Sequence, residues 1–528
     1  MMLAGMVSAL AAVPTSQTIA DGNAADANGK YTISVASSDD HTYQVFQILT
    51  GTLIAGENKL GDPKWGADAK GTTGTDTGVK AFLDSITAAN LSNVQINDLV
   101  EAQLADNAAG QGTVKAGTSM DVVPGYYLIV DVTPDADLVD GETKSLNIVA
   151  VFNDIQITPK NGTPESHKHV DDVNDSTAGK ELEKDSSDYD IGDDVPFTLT
   201  FKLPDDYANY KKYYVSFVDD MSEGLTYNGD AKIYYGASDT TGTDIGTEFA
   251  VDSSATSDYT NGKVYKYTID DLKAGTDAQK ALGAGEVITI TYTAKLNDKA
   301  VTGSTGNPNK YKVTYSRNPN DEGDGTPETG DTPWDINITF TYKTVFNKVD
   351  GDQKPLTGAD FTLYKFVASE TGAETYKNVK GDWVDVTTLG TDKHPSKTTS
   401  SLTNDKGTAD AAKFTFNGID DGEYKLVETQ TPTGYNTLAD QYFTVTAEHT
   451  LVSDNPQLTS LTGTDGAQFS MTSSLSDGSL TADVVNTQGA ELPSTGGIGT
   501  TLFYIGGGIL VLAAVVLLIT KRRMNAND

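Results

Sequence analysis

Hydrophobic and polar residues alternate along most of this chain in short runs separated by turn-forming residues. In the first third, residues 31–35, 125–131 and 146–152 alternate in this way, as strands with one buried face do. Residues 79–86 and 96–104, which lie between these runs, look like short helices. The pattern therefore predicts a mainly β structure with little helix.

The same alternation continues through two further blocks. We predict strands at 196–202, 213–219, 263–269, 287–295 and 311–316, and at 344–350 and 480–486. Residues 158–164 and 321–332 are rich in Gly, Pro and acidic residues, which is typical of linkers. Regular short strands with turn signals predict an all-β chain of three tandem Ig-like β-sandwiches. We place the N-terminal domain at 30–160, the middle domain at 161–343 and the C-terminal domain at 344–489.

Both ends of the chain are apolar. Residues 2–13 resemble the hydrophobic core of a signal peptide, although no Lys or Arg precedes them, and we assign 1–29 to a signal peptide and leader. Residues 501–520 form an apolar run that is long enough, at about 1.5 Å per residue, to cross a bilayer as a transmembrane helix. The basic residues 521–523 then hold the C-terminus in the cytoplasm. We therefore expect the three domains to be outside the cell.

Composition narrows the functional classes. The net charge of −36 argues against nucleic-acid binding, since a phosphate binder needs a basic face. The chain has no cysteine, so any covalent staple must come from other chemistry than disulfides. The five histidines form no HExxH pattern and the acidic loops lack the terminal Glu of an EF-hand. We therefore expect no metal, no other cofactor and no enzyme activity.

A pentapeptide precedes the apolar C-terminal run, and its residues are Leu492, Pro493, Ser494, Thr495 and Gly496. Together with the span and the basic tail, it resembles the LPxTG sorting signals of Gram-positive surface proteins. The resemblance implies that a sortase cleaves between Thr495 and Gly496, and that an amine resolves the thioester left at Thr495. Residues 490–528 would then be a cell-wall sorting signal whose transmembrane helix is temporary.

The third block resembles the Cna-B-type repeats of Gram-positive adhesins and pilins over its whole length. The resemblance is carried by a segment that begins at Lys348, by residues 424–435 and by Asn486. Residues 424–435 match the E-box pattern of pilins, YxLxETxAPxGY, with Thr431 in place of the usual Ala. The resemblance implies a spontaneous isopeptide bond between Lys348 and Asn486, promoted by Glu428.

The chemistry of such a bond explains why three residue types are needed. An amide forms only when a neutral amine attacks a polarised carboxamide, whereas a free lysine, with a pKa of about 10.4, is charged at neutral pH. Burial lowers the pKa of the amine and raises that of the acid, so one proton can pass between them. The protonated acid then stabilises the oxyanion while ammonia leaves.

The second block is similar to the middle domain of pilus shaft pilins. The matching residues are 167–170, 191–197, 218–227 and 309–315. By the same chemistry we assign Lys168 as the nucleophile, Asn309 as the carboxamide and Asp219 as the acid. Strand alternation favours Asp219 over Asp220, because it places Asp219 on the face that carries Phe217.

Two positions in this assignment have alternatives. Lys180 or Lys184 could replace Lys168 as the nucleophile, and Asn318 could replace Asn309 as the carboxamide. The first block contains no recognisable set of this kind.

The first block ends in a sequence, residues 152–160, that resembles the WxxxVxVYPK pilin motif of sortase-polymerised shaft subunits. Phe152 stands nearest to the Trp position, Ile155 and Ile157 replace the valines, and Pro159 and Lys160 are kept. In that family the lysine attacks the sortase thioester of the next subunit. The resemblance implies an intersubunit bond between Thr495 and Lys160.

These features predict the major shaft subunit of a covalently polymerised pilus, or fimbria, that supports adhesion. The expected partners are a pilin-specific and a housekeeping sortase, neighbouring pilin subunits and peptidoglycan, with accessory pilins and host surface ligands as further candidates. The alternative is a monomeric wall-anchored adhesin or accessory pilin that binds a host or matrix ligand without using Lys160.

Overall fold

The computed structural model has an all-β body of three consecutive domains, followed by one long apolar helix. Each domain contains two β-sheets with a hydrophobic core between them. The structure describes residues 17–19, 29–37, 39–54, 60–86, 99–138, 142–157, 164–177, 179–236, 242–274, 282–319, 328–368, 381–389, 395–403, 409–488 and 498–524.

The N-terminal domain combines two sheets with a short helix. Its strands are β1 (Gln17–Ile19), β2 (Tyr31–Val35), β3 (Thr42–Leu53), β4 (Leu60–Trp65), β5 (Gly112–Lys115), β6 (Ser119–Val122), β7 (Gly125–Asp131), β8 (Leu146–Val151) and β9 (Ile155–Ile157), and its helix is α1 (Val79–Ile86). The sheet orders are β1-β9-β2-β6 and β4-β3-β7-β8, with β5 paired to β3. One core lies between the sheets and another beneath α1, so the sheet containing β7 is buried on both faces.

The middle domain is a sandwich of two seven-stranded sheets. Its strands are β10 (Glu165–Asn174), β11 (Gly179–Lys184), β12 (Ser186–Asp188), β13 (Asp194–Lys202), β14 (Val215–Met221), β15 (Leu225–Tyr227), β16 (Lys232–Tyr235), β17 (Thr243–Asp244), β18 (Ala250–Asp252), β19 (Lys263–Ile269), β20 (Val287–Leu296), β21 (Asn307–Ser316), β22 (Thr329–Asp331) and β23 (Asp335–Phe340). The first sheet has the order β11-β10-β13-β20-β16-β17, with β15 beside β20. The second has the order β12-β23-β21-β14-β19-β18, with β22 beside β21.

The C-terminal domain is a sandwich of two five-stranded sheets. Its strands are β24 (Tyr342–Asp350), β25 (Asp360–Val367), β26 (Asp382–Asp385), β27 (Ser396–Thr403), β28 (Ala409–Ile419), β29 (Gly422–Gln430), β30 (Gln441–His449), β31 (Leu458–Gly463), β32 (Thr472–Ser474) and β33 (Ser479–Asn486). The sheet orders are β27-β28-β24-β33-β32 and β26-β25-β29-β30-β31. The first and last strands of the domain, β24 and β33, are therefore parallel neighbours.

Helix α2 (Ile498–Met524) follows the third domain. Its segment Phe503–Arg522 has a mean hydropathy of 2.5 and contains no buried residue, so its length and composition suit a membrane span. Short 3₁₀ turns lie at Asp135–Asp137, Tyr207–Asn209, Gly246–Glu248 and Val386–Thr388.

The predicted helices and strands agree with the structure in type, and some of their bounds differ. The helix at 79–86 is confirmed. Of the one expected at 96–104, residues 96–98 lie outside the described residues, residues 99–101 are helical and a turn follows them. Strand β1 lies within the segment assigned to the leader, yet it pairs with β9, so the N-terminal domain includes residues 17–19. A three-residue strand is too short for alternation to reveal it, and only its partner strand defines it.

Candidate crosslinking sites

The proposed nucleophile of the middle domain, Lys168, points into the sandwich. It lies on β10 in register with Leu199 of β13, and its side chain is fully buried. Its Nζ donates hydrogen bonds to Asp219 Oδ1 at 2.8 Å and to the Tyr292 hydroxyl at 2.9 Å. The ring of Phe197 lies 4.9 Å from the same nitrogen. An amine is thus held inside an aromatic core beside the carboxylate of Asp219.

The proposed carboxamide of this domain, Asn309, faces the lysine from the opposite sheet. It lies on β21, and its Nδ2 donates a hydrogen bond to the Tyr292 hydroxyl at 2.8 Å. Its Oδ1 is buried, and no described residue donates a hydrogen bond to it. The Tyr292 hydroxyl therefore contacts both groups that an isopeptide bond would join.

The electrostatics of this site favour transfer of a proton from amine to acid. Burial lowers the pKa of Lys168, although the adjacent Asp219 opposes that shift. Burial also raises the pKa of Asp219, with Lys168 acting in the opposite direction. Both shifts favour the neutral pair, in which the amine is a nucleophile and the acid is a hydrogen-bond donor.

The alternative residues lie elsewhere. Lys180 is exposed and Lys184 is half-buried on the edge strand β11, where Lys184 lies 3.5 Å from Glu181. Asn318 donates a hydrogen bond to Glu328 at 2.6 Å. Asp220 points away from Lys168, toward Ser257 and Lys310.

In the C-terminal domain, the proposed nucleophile and carboxamide lie on neighbouring parallel strands. Lys348 of β24 is in register with Val484 of β33, and Asp350 is in register with Asn486. The fully buried Lys348 Nζ donates hydrogen bonds to the backbone oxygens of Val484 at 2.9 Å and Val349 at 3.3 Å. Burial lowers the pKa of Lys348 to about 8, although Glu428 and Asp350 oppose the shift.

The acid of this site, Glu428, reaches across from β29 in the facing sheet. Its Oε1 accepts a hydrogen bond from Asn486 Nδ2 at 2.7 Å, and Oε2 accepts from the Leu438 backbone N–H at 2.8 Å. The hydroxyl of Thr431, the residue that departs from the E-box pattern, donates to the same Oε2 at 3.1 Å. The Asn486 Oδ1 is buried, and no described residue donates to it.

Sequence reasoning missed two contributors. Tyr292 lies at an inward position of the alternating strand β20, so its hydroxyl needed a buried partner, but the sequence does not show which one. Thr431 stood out only as a mismatch, whereas it contacts the proposed acid in the structure.

The sortase-related residues lie outside the described part of the chain. Lys160 falls between β9 and β10 in the sequence, and Leu492, Pro493, Thr495 and Gly496 precede α2. In the described part of the N-terminal domain, the buried lysine is Lys144, which pairs with Glu328.

Two family models match this chain. Residues 343–457 match the prealbumin-like fold domain called SpaA. Residues 484–526 match the LPXTG cell wall anchor motif, which makes this a wall-anchored protein of the cell surface.

Known proteins resemble the chain over most of its length. It is 29% identical over 406 residues to the trypsin-resistant surface T6 protein of Streptococcus pyogenes serotype M6, covering 67% of each chain. Among solved structures, the T6 backbone pilin of that serotype has 17% identity and a TM-score of 0.47, covering 90% of this chain and 100% of that one. The major pilin SpaD of Corynebacterium diphtheriae has 17% identity and a TM-score of 0.44, covering 88% and 97%. With its prealbumin-like domain, its wall anchor and its T6 relative, this chain is similar to Gram-positive pilins.

Proposed function

We propose that this chain is a major pilin that forms the shaft of a covalent pilus, in which Thr495 of one subunit is joined by sortase to Lys160 of the next. The single observation that carries the proposal is the wall-anchor motif on a chain that shares two-thirds of its length with the T6 protein. The same sortase chemistry, with peptidoglycan as the final amine, attaches the finished fibre to the wall.

We further propose that two internal isopeptide bonds lock the shaft subunit. The neutral Nζ of Lys168 attacks Cγ of Asn309, and that of Lys348 attacks Cγ of Asn486. In each case the new Nζ–Cγ bond replaces the Cγ–Nδ2 bond. The acid gives its proton to Nδ2, which leaves as ammonia, and the attacking Nζ returns one proton to the carboxylate. Each bond forms once, so the residues act without turnover and the chain is a structural protein.

The C-terminal bond would carry tension along the fibre. The chain enters this domain on β24 and leaves it on β33, so pulling on the chain ends shears two parallel neighbours past one another. A covalent link from Lys348 to Asn486 passes the force between these strands and bypasses residues 349–485. The domain then need not unfold under load.

A cell-wall extract tests the intersubunit bond. Wild-type cells should give an SDS-resistant ladder of high-molecular-weight species, and Lys160→Ala should leave wall-linked monomer alone. The matched control is Lys115→Ala, which removes an exposed lysine of the same domain and should keep the ladder. A ladder that persists in Lys160→Ala would contradict this linkage and favour a monomeric adhesin or an accessory pilin.

Accessory pilins and host surface ligands complete the proposed set of partners. A shaft subunit provides adhesion chiefly by holding other proteins away from the cell. Binding of the Lys160→Ala strain to host matrix should therefore fall together with the ladder. A monomeric adhesin would instead keep its binding.

A further inference from the structure

The boundary between the middle and C-terminal domains is crowded with aspartates that form two adjoining clusters. In the first, Asp175 and Asp190 of the middle domain and Asp420 of the C-terminal domain surround the fully buried Lys365. Its Nζ lies 2.8–3.0 Å from all three carboxylates. This ammonium group supplies the positive charge that buried carboxylates require.

The second cluster consists of Asp188, Asp420 and Asp421. Each residue offers a carboxylate oxygen, and these oxygens lie within 4.8 Å of one another. Asp188 ends β12 in the middle domain, whereas Asp420 and Asp421 form the turn between β28 and β29 in the C-terminal domain. A ligand held here would therefore contact both domains.

Two oxygens of this cluster are buried without a hydrogen-bond donor among the described residues: Asp188 Oδ2 and Asp420 Oδ1. The two residues are only 4% and 1% exposed, so bulk water does not replace the missing donors. The fully buried hydroxyl of Tyr342 faces Asp188 and also makes no hydrogen bond of ordinary geometry with the described residues. Two buried carboxylate oxygens of this cluster thus lack the hydrogen-bond donors that buried polar groups normally have.

The neighbouring basic side chains, Lys365 and His449, contact the other oxygens of these carboxylates. Lys365 binds Asp420 through Oδ2, which leaves Oδ1 free of it. His449 Nε2 lies 3.9 Å from Asp188 Oδ1 and 3.5 Å from Asp172 Oδ2, and its Nδ1 bonds Ser186 Oγ at 2.7 Å. Lys365 and His449 therefore donate no hydrogen bond to Asp420 Oδ1 or Asp188 Oδ2.

We propose that Asp188, Asp420 and Asp421 bind one calcium ion that joins the middle domain to the C-terminal domain. All three ligands are hard oxygen donors, and Ca²⁺ accepts carboxylates in irregular geometry and completes its shell with water. Mg²⁺ demands a nearly ideal octahedron and gives up its own water reluctantly, so this loosely spaced set suits it less. The ion fixes the angle between the two domains and stiffens the subunit.

Isothermal titration of the full-length chain, freed of metal and held in mild detergent with about 0.15 M KCl, tests the site with CaCl₂ as the probe. We expect one Ca²⁺ per chain with a dissociation constant of about 0.1–1 mM, as in extracellular calcium modules. Asp421→Asn, at a half-buried position, should weaken binding at least tenfold, and Asp188→Asn should do the same. The matched control, Asp352→Asn, removes an exposed acid from a turn and should leave binding unchanged.

Several results would overturn the proposal. These are no saturable binding at 10 times the expected constant, binding that survives Asp421→Asn, and weak binding of many ions that no single variant alters. Equal affinity for MgCl₂ would overturn the assignment to calcium. Because the titration uses unpolymerised chains, its outcome is independent of the Thr495–Lys160 linkage.

Discussion

The middle and C-terminal domains assemble the same three residue types in opposite ways. In the middle domain, Lys168 lies on one sheet while Asn309 and Asp219 lie on the other, so a bond would join the two sheets. In the C-terminal domain, Lys348 and Asn486 share a sheet and the acid comes from the facing one.

The two sites also differ in which group the acid contacts by a hydrogen bond. Asp219 binds its lysine, and Tyr292 connects that lysine to Asn309. Glu428 instead binds its asparagine, and Lys348 donates to backbone oxygens. Under the proposed chemistry, the acid therefore contacts only one of the two groups to be joined, and all three groups are buried together.

The difference also has a mechanical consequence. The C-terminal bond would link the entering and leaving strands, whereas Asn309 lies on β21, ahead of β22 and β23. Residues 310–341 of the middle domain would therefore still carry tension. We expect this segment to be the first part of the two domains to extend under force.

The largest effect is expected from removal of either bond. Lys168→Ala and Lys348→Ala should each halve the mass deficit of the wild type, which is two ammonia molecules or about 34 Da. Each should destabilise its own domain by about 5 kcal/mol, because a crosslink across roughly 100 or more residues restricts the unfolded chain by that amount. Intact mass and calorimetry measure both quantities.

The control for the C-terminal domain is Lys343→Ala on the same strand, β24, whose lysine lies 3.4 Å from Asp477. It should keep the full deficit. An unchanged deficit in Lys348→Ala would show that this lysine is not the nucleophile.

The next-largest effect is the pH dependence of stability in a variant that cannot form the C-terminal bond. In Asn486→Ala, Lys348 stays an amine whose pKa of about 8 lies below the ordinary value. The unfolded state therefore binds more protons than the folded state between about pH 8 and 10.4, and stability should rise by about 3 kcal/mol over that window. Below pH 8 the full penalty for charging the buried amine is present.

Urea unfolding at several pH values measures this dependence. The double variant Lys348→Met/Asn486→Ala keeps the other titrating groups but has no amine at position 348. Its stability should therefore show no such rise with pH. The wild type should also lack it, because an amide nitrogen does not titrate. A rise of equal size in the double variant would contradict the assignment.

An effect of similar size is expected on the rate at which the middle-domain bond forms. Tyr292→Phe removes the hydroxyl that contacts both Lys168 and Asn309, and we expect the middle bond to form about 10²-fold more slowly. Timed digestion and mass mapping of newly synthesised chain measure both crosslinks. The rate at which the Lys348–Asn486 bond forms in the same chains is the internal reference. Slower formation of both bonds would contradict a local role for Tyr292.

The smallest effect is expected at Thr431. Thr431→Ala restores the usual E-box residue and removes one of the hydrogen bonds to Glu428 Oε2. The loss of about 1 kcal/mol corresponds to roughly fivefold slower formation of the C-terminal bond. The same timed assay applies, and the middle-domain bond should be unaffected. Faster formation in Thr431→Ala would show that this hydroxyl hinders the acid.

The sequence by itself determined the class of fold and the residue types available for crosslinking. Alternation is a local property with a period of two, so it predicted the strands around Phe217 and Asn309 and the inward side of each. The sorting signal is likewise a contiguous pattern, and its family model matches.

Only the tertiary structure decided which groups meet. The pairing of sheets sets whether an acid contacts its lysine or its asparagine, and no periodicity encodes that choice. It also revealed Tyr292 at the middle site and the meeting of Asp188 with Asp420 and Asp421, which are separated by more than 200 positions in the chain. Linear motif searches find ligands that are close in sequence, whereas this cluster exists because two folded domains place their ends together.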